Sequence, residues 1–388
     1  MGESQKAEPA SNGDRGSLKR FFFGRSLEAC IDAGGDNVLQ LRLLAALMVI
    51  FGHSFGVLGG TVGAREPMHY LFPGIVTHIT GVNFFFMISG FLITLSWLRR
   101  PDLFRFLRAR FLRIWPALAV CIAVTAFVVG PLVTTLPLHS YFVDGDSFGT
   151  PLKYFLGNAT LQLRPFLPGV FEHVPVARWV NGSLWTLPVE ATLYLCIAGV
   201  GVLRVFRFPW LASVGVAGVF VYLVLVPLYL GQTPPIEHIQ AGFFGAGCIA
   251  CLLRRYVPVS SGLMLLILAA CIVSRHSSHV MPFTWLMIGY FVLWFSYVPR
   301  IPALPGGIDL SYGTYLWAFP LQQILVQKGV DNPLLLFAIV TPVVLAIAAL
   351  SWFFIEKPAL RLKNARWFRF GLRRQREQEP TPSVVDAA

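Results

Sequence analysis

Three ionisable residues stand inside long apolar stretches of the chain: Arg42, His53 and Glu190. A charge within a membrane span costs about 2.5–3.5 kcal/mol even on the lenient insertion scale, so each is a functional hypothesis by default. Arg42 and His53 are eleven residues apart, which on a helix puts them on one face with a rise of about 16 Å between them. His53 is a base that works near neutral pH. A carboxylate such as Glu190, about six residues below the outer surface when counted from Ser183, where His53 is about five residues from the outer end of its own run, would fix its tautomer and raise its basicity. Base, orienting acid and buried cation suit acyl transfer to a hydroxyl, and they also suit a proton relay. The plainer readings are an Arg42 that snorkels to the headgroups and a His53 that only packs.

A second group is basic. Arg105, Arg108, Arg110 and Arg113 alternate with Phe and Leu, giving an amphipathic stripe suited to the inner membrane face. Guanidinium forks fit phosphates and pyrophosphates, whereas a topogenic signal needs only their charge. Ser89-Gly90 reads as a close helix-packing step rather than a nucleophile. Cys248 and Cys251 have metal-ligand spacing but lie in an apolar span without a second pair or a nearby His, so no metal is expected.

The elements that must position these residues are membrane helices. The 388 residues are 55% hydrophobic and 13% charged, against about 25% charge in a soluble domain. The deficit runs along the whole chain, which excludes a single-anchor enzyme. The net charge of +12 sits in short clusters between apolar runs, as the positive-inside rule requires, and so argues against nucleic-acid binding.

Ten apolar runs approach the length needed to span a bilayer: 38–58, 81–98, 114–135, 184–203, 209–230, 239–253, 259–274, 281–298, 309–328 and 332–355. Runs 239–253, 259–274 and 281–298 are short. With the N-terminus inside, 24 of the 31 Lys and Arg fall inside and six outside, Arg42 lying in the first span. The expected fold is an all-α integral membrane protein of about ten transmembrane helices with both termini cytoplasmic. Around it stand a disordered cytoplasmic head at 1–36, a transmembrane domain at 37–360 with an outer loop at about 136–183 that serves as a lid, and a basic interfacial segment and tail at 361–388.

Several motifs occur in one order: Arg42 with His53; Gly81-Val-Asn-Phe-Phe-Phe-Met-Ile-Ser-Gly-Phe-Leu-Ile93; Arg110-Phe-Leu-Arg113 with Pro116; Ser183-Leu-Trp-Thr-Leu-Pro-Val-Glu190; Ser311-Tyr-Gly-Thr-Tyr-Leu-Trp317; and Phe354-Ile-Glu-Lys-Pro358. In this the chain resembles the acyltransferase family 3 membrane proteins from about residue 36 to 360. The resemblance implies a cytosolic acyl-CoA donor, most often acetyl-CoA, and no metal. It implies a carbohydrate or glycolipid acceptor outside the bacterial cytoplasmic (inner) membrane, with membrane lipids and no nucleic acid as further partners.

It also implies that Arg42 and His53 are essential, with Glu190 as the acid of its motif. The roles expected are general base for His53, orienting acid for Glu190, and thioester or pantetheine binding for Arg42. Arg110 and Arg113, with Arg108 and Arg105, would take the CoA phosphates. Asn83 and Ala318 depart from the family, many of whose members have Asp and His there. The rival reading is a secondary transporter or flippase using the same intramembrane charges. The basic stripe joined to the Arg42/His53 spacing favours the enzyme.

Overall fold

The computed structural model describes residues 24–59, 66–72, 75–277, 280–302 and 305–364. Each of the ten apolar runs is a helix: α1 Val38–Gly56, α2 Thr77–Arg99, α3 Leu103–Val133, α4 Gly182–Val202, α5 Pro209–Tyr229, α6 Ile236–Leu252, α7 Ser261–Ser274, α8 Val280–Tyr297, α9 Ser311–Gln327 and α10 Pro333–Arg361. Among the described residues, seven helices are long and apolar enough to cross a membrane, namely α1 to α5, α8 and α10. Run 281–298, expected to be short, is one of the seven. The shorter helices are α6, α7 and the 17-residue α9.

The low hydropathy of α9 has a structural cause. Its Ser311, Thr314, Gln322 and Gln323 are fully buried, so these polar groups face protein rather than lipid and must find partners there. Gln322 Nε2 donates to the Ile50 carbonyl and to Ser54 Oγ, both at 2.9 Å. Gln323 Nε2 donates to the Val176 and Trp179 carbonyls, both at 2.8 Å. Tyr312 Oη donates to the Ile114 carbonyl at 2.9 Å. One helix thereby ties together α1, α3 and the outer loop.

Helices α2 and α6 approach closely enough for their backbones to meet. A Cβ at Gly90 would collide with the backbone of Phe244, and one at Gly247 with the Met87 carbonyl. Small residues let backbones meet in this way, and Cys248 Sγ donates to the Gly90 carbonyl at 3.6 Å across the same seam. The Ser89-Gly90 step is indeed a packing step.

Within the expected head, the described residues from 24 onward are folded onto the bundle. Arg25–Ser26 pairs antiparallel with Pro258–Val259, and Leu27–Ala33 is a helix capped by Ser26. Leu27 is fully buried, and Glu28 pairs with Arg254 at 3.3 Å and Arg255 at 3.0 Å. The outer loop is bonded to the bundle and within itself. Besides the Gln323 bonds, Trp115 Nε1 donates to the Ala159 carbonyl at 2.9 Å, and Asn158 Nδ2 donates to the Tyr154 and Arg164 carbonyls at 3.0 and 2.9 Å. Residues 1–23 of the head and 365–388 of the expected interfacial tail lie outside the described residues.

Candidate active site

A cavity of about 150 Å³ lies among α1, α2, α3, α4, α9 and the end of α10. Arg110, Leu360 and Lys363 line one end, and Val82, Thr186 and Tyr315 line the other. The helix directions set its polarity: Arg42 is near the start of α1 and His53 near its finish.

At the Arg42 end the stripe arginines part company. Arg113 Nη2 donates to Asp309 Oδ2 at 2.6 Å and Nη1 to Glu356 Oε2 at 3.2 Å. Asp309 is fixed in turn by Ser311, whose Oγ donates to Oδ1 at 2.6 Å, and Glu356 by Ser351 Oγ at 3.1 Å. Glu356 closes a π-type turn, Trp352–Glu356, in α10; such a wide turn re-aims one side chain without ending the helix. Arg113 is therefore held between two carboxylates.

Arg42 joins the same cluster, with Nε 3.2 Å from Ser311 Oγ and 3.4 Å from Asp309 Oδ2. It lines the cavity and lies 5.9 Å from the Phe85 ring centre, so it is not a snorkelling residue. Arg110 differs from both. Its Nε is buried without a hydrogen-bond partner, and its guanidinium lies 5.9 Å from the rings of Phe106 and Tyr194. Arg108 Nη2 donates to the Lys363 carbonyl, and Arg105 is exposed. Of the four arginines, Arg110 and Arg113 line the cavity.

Midway, Ser89 Oγ donates to Glu190 Oε1 at 3.1 Å, and Tyr194 Oη donates to the same oxygen. Tyr194 follows Glu190 by one helical turn on α4, so their side chains share a face.

The expected contact between His53 and Glu190 does not form. Instead the His53 ring packs on His78 of α2, with centres 4.7 Å apart, and against the edge of Phe319 at 5.3 Å. Ser89, the partner of Glu190, is eleven residues along α2 from His78, a rise of about 16 Å. The depth count failed because α4 starts beneath the outer loop: Asn181 and Ser183 are each 1% exposed, so counting from Ser183 placed Glu190 too near the surface.

The cavity stops one helical turn short of the imidazoles. Val82 follows His78 by four residues on α2, and Tyr315 precedes Phe319 by four on α9. Tyr315 Oη stands between, donating to the Ser183 carbonyl at 2.8 Å, with Thr186 Oγ1 2.7 Å away.

A family model described as an acyltransferase domain, Acyl_transf_3, matches residues 37–353. The chain belongs to acyltransferase family 3. An "O-acetyl transferase" of Shigella phage Sf6 is 29% identical over 337 residues, covering 81% of this chain and 93% of the relative. A "Nodulation protein 10" of Rhizobium leguminosarum bv. viciae is 30% identical over 357 residues, covering 85% and 94%. No solved structure gives a significant match. As a family 3 member with such relatives, the protein is an O-acyltransferase, and its apolar helices make it a multi-pass membrane protein.

Sequence reasoning missed several residues of this acyltransferase. Asp309 and Glu356 lie in or beside motifs that carried no assigned role, and only the fold shows them gripping Arg113. Tyr194 had a findable signal, a hydroxyl one turn after a buried acid. His78 and Glu66 had little: an imidazole in the first turn of a span, and an acid in a loop whose path spacing cannot give.

Proposed function

We propose that this O-acyltransferase moves an acyl group, most simply acetyl, from cytosolic acyl-CoA to a hydroxyl of an extracytoplasmic carbohydrate or glycolipid. In this reading all ten helices of a 37–360 domain cross a bacterial cytoplasmic membrane, with the Arg110/Lys363 end inside. The observation that carries it is the cavity itself: cationic at one end, one turn short of a base at the other, so donor and acceptor can stay on opposite sides. The name O-acetyl transferase carried by the phage relative supports acetyl and a hydroxyl acceptor.

Arg110, Lys363 and Arg108 would hold the CoA phosphates, because charge-assisted contacts are the strong ones. The pantetheine arm would follow the cavity past Arg42, its amides meeting Ser89, Tyr194 and Glu190. At the far end the acceptor oxygen bonds to the acyl carbon while His53 takes its proton. The C–S bond then breaks, and the CoA thiolate is protonated to leave as the thiol. In this scheme Glu190 is a hydrogen-bonding group of the donor channel and not the orienter of His53.

The test is transfer across a bilayer. Proteoliposomes with the Arg110 end outward receive labelled acetyl-CoA outside and an acceptor glycan inside, and the glycan is read by mass spectrometry. Label on the enclosed glycan, abolished by His53→Ala, is expected. Transfer at the wild-type rate by His53→Ala protein would overturn the general-base role, and label confined to outside acceptors would overturn the transmembrane route.

A further inference from the structure

Among the described residues, three buried polar atoms of neighbouring side chains have no hydrogen-bond partner: Glu66 Oε1, His78 Nδ1 and His53 Nδ1. Buried polar atoms are nearly always satisfied, so a run of three asks for a reason. Glu66 Oε1 is 3.5 Å from His78 Nδ1, and the His78 ring lies on that of His53, 4.7 Å between centres. Gly52 makes the approach possible, since a Cβ there would strike His78.

We infer that the base of this acyltransferase is a unit of three side chains, in which Glu66 and His78 are positioning residues that stabilise the proton taken up by His53. The inference rests on the reading of His53 as the base given above. Glu66 is fully buried at the start of α2, where its Oε2 accepts the Thr77 backbone N–H at 2.8 Å. A helix N-terminus favours negative charge. Burial pushes the Glu66 carboxyl up, but its contacts with His78 and Thr77 prevail and hold it below the ordinary carboxylate range. The carboxylate is thus an anion with no solvent to neutralise it.

Among the described residues, the imidazole pair is the neighbour that can carry a compensating charge. Two imidazoles in ring contact hold one proton far more easily than two, because like charges in contact repel. When the acceptor hydroxyl gives its proton to His53, the pair becomes monocationic, and the fixed anion beside His78 offsets that charge. No oxidant, metal or second substrate is needed. Among the described residues, the other elements packed on this end of α1 bring Phe319 and Gln322 from α9, Phe337 from α10 and Pro175, Val176 and Trp179 from the outer loop, none of them titratable. Glu66 is therefore the charge that tunes the pair.

The experiment uses full-length protein in proteoliposomes, with kcat and the donor KM measured against pH. Glu66→Gln keeps the shape and the bond from Thr77 but removes the anion. Without it the protonated pair is less stable, so the acidic limb of kcat/KM should move to lower pH. The plateau kcat should fall roughly tenfold with donor KM within about twofold, as expected when a base loses basicity. Glu66→Asp should recover part of the loss. His78→Gln should resemble Glu66→Gln, and the double variant should be no worse than either. If Glu66→Gln does not yield folded protein, His78→Gln carries the same pH readout. An acidic limb that superimposes on wild type, or losses that multiply in the double variant, would overturn the unit. His53→Ala separates the two claims: full activity there removes the base itself, whereas an inactive His53→Ala with an unmoved Glu66→Gln limb removes only Glu66 and His78.

Discussion

The guanidinium of Arg113 on α3 and the carboxylate of Asp309 at the foot of α9 meet at 2.6 Å. The same carboxylate reaches Arg42 of α1 at 3.4 Å, and Glu356 of α10 takes the other side of Arg113 at 3.2 Å. Helices α1, α3 and α10 and the segment leading into α9 are tied together through Arg113 and Asp309. An arginine whose charge is already matched by two carboxylates has less to offer a phosphate, which separates it from Arg110 three residues earlier.

The first prediction divides these two arginines. Removing one member of a buried ion pair costs about 3–5 kcal/mol, because the partner is left as an uncompensated charge. Arg113→Ala should therefore lower the thermal stability of detergent-purified protein strongly. Arg110→Ala should leave stability nearly unchanged and weaken acetyl-CoA binding about tenfold, the worth of one charge-assisted contact. Arg113→Ala protein of wild-type stability that had lost only donor affinity would reverse the assignment.

A second prediction follows from the position of Glu190 beside Ser89 and Tyr194 rather than His53. Glu190→Gln and Tyr194→Phe should raise the donor KM by about fivefold or more, as loss of a binding hydrogen bond does. Neither should move the acidic limb of the pH profile. A shifted limb in Glu190→Gln would restore it as the orienting acid.

The helices were legible because a bilayer demands long apolar runs, and all ten runs are helical. The cation at 42 was legible as well, since Arg inside a span must have a purpose. What spacing could not supply was depth across different helices. Each estimate depends on where a helix meets the membrane surface, and α4 starts under a loop that only the fold reveals. The partners of Arg113 were hidden for a related reason: Asp309 and Glu356 come from segments about 200 residues and more away from it, and nothing local ties them to it.

The α2/α6 seam yields a third prediction. At Gly90 and Gly247 the neighbouring atoms are backbone, which cannot rotate away as a side chain can. Gly90→Ala and Gly247→Ala should each destabilise the protein by about 1–3 kcal/mol, read as a lower melting temperature in detergent. Ser89→Ala, one residue away, should leave stability nearly unchanged. Equal stability of Gly90→Ala and wild type would mean that the helices do not approach this closely in the membrane.

The last prediction concerns Lys363, which lines the cavity mouth beyond the end of α10. Burial, and then the charges of Arg110, Arg100 and Arg105, push its ammonium below the ordinary lysine range. A lysine crowded by cations gains from an anion that neutralises the cluster, and the phosphates of CoA supply one. Its contribution to donor binding is present while the ammonium is charged, at pH below the lowered value, and is lost as pH rises through it. Donor affinity should therefore begin to fall at a pH below that at which an ordinary lysine titrates. Lys363→Arg keeps the charge across that range and should flatten the alkaline fall, while Lys363→Met should show weak binding at every pH. The measurement is acetyl-CoA titration of purified protein from neutral to alkaline pH. An alkaline fall that persists in Lys363→Arg would show that another group sets the pH dependence and that Lys363 does not hold the donor.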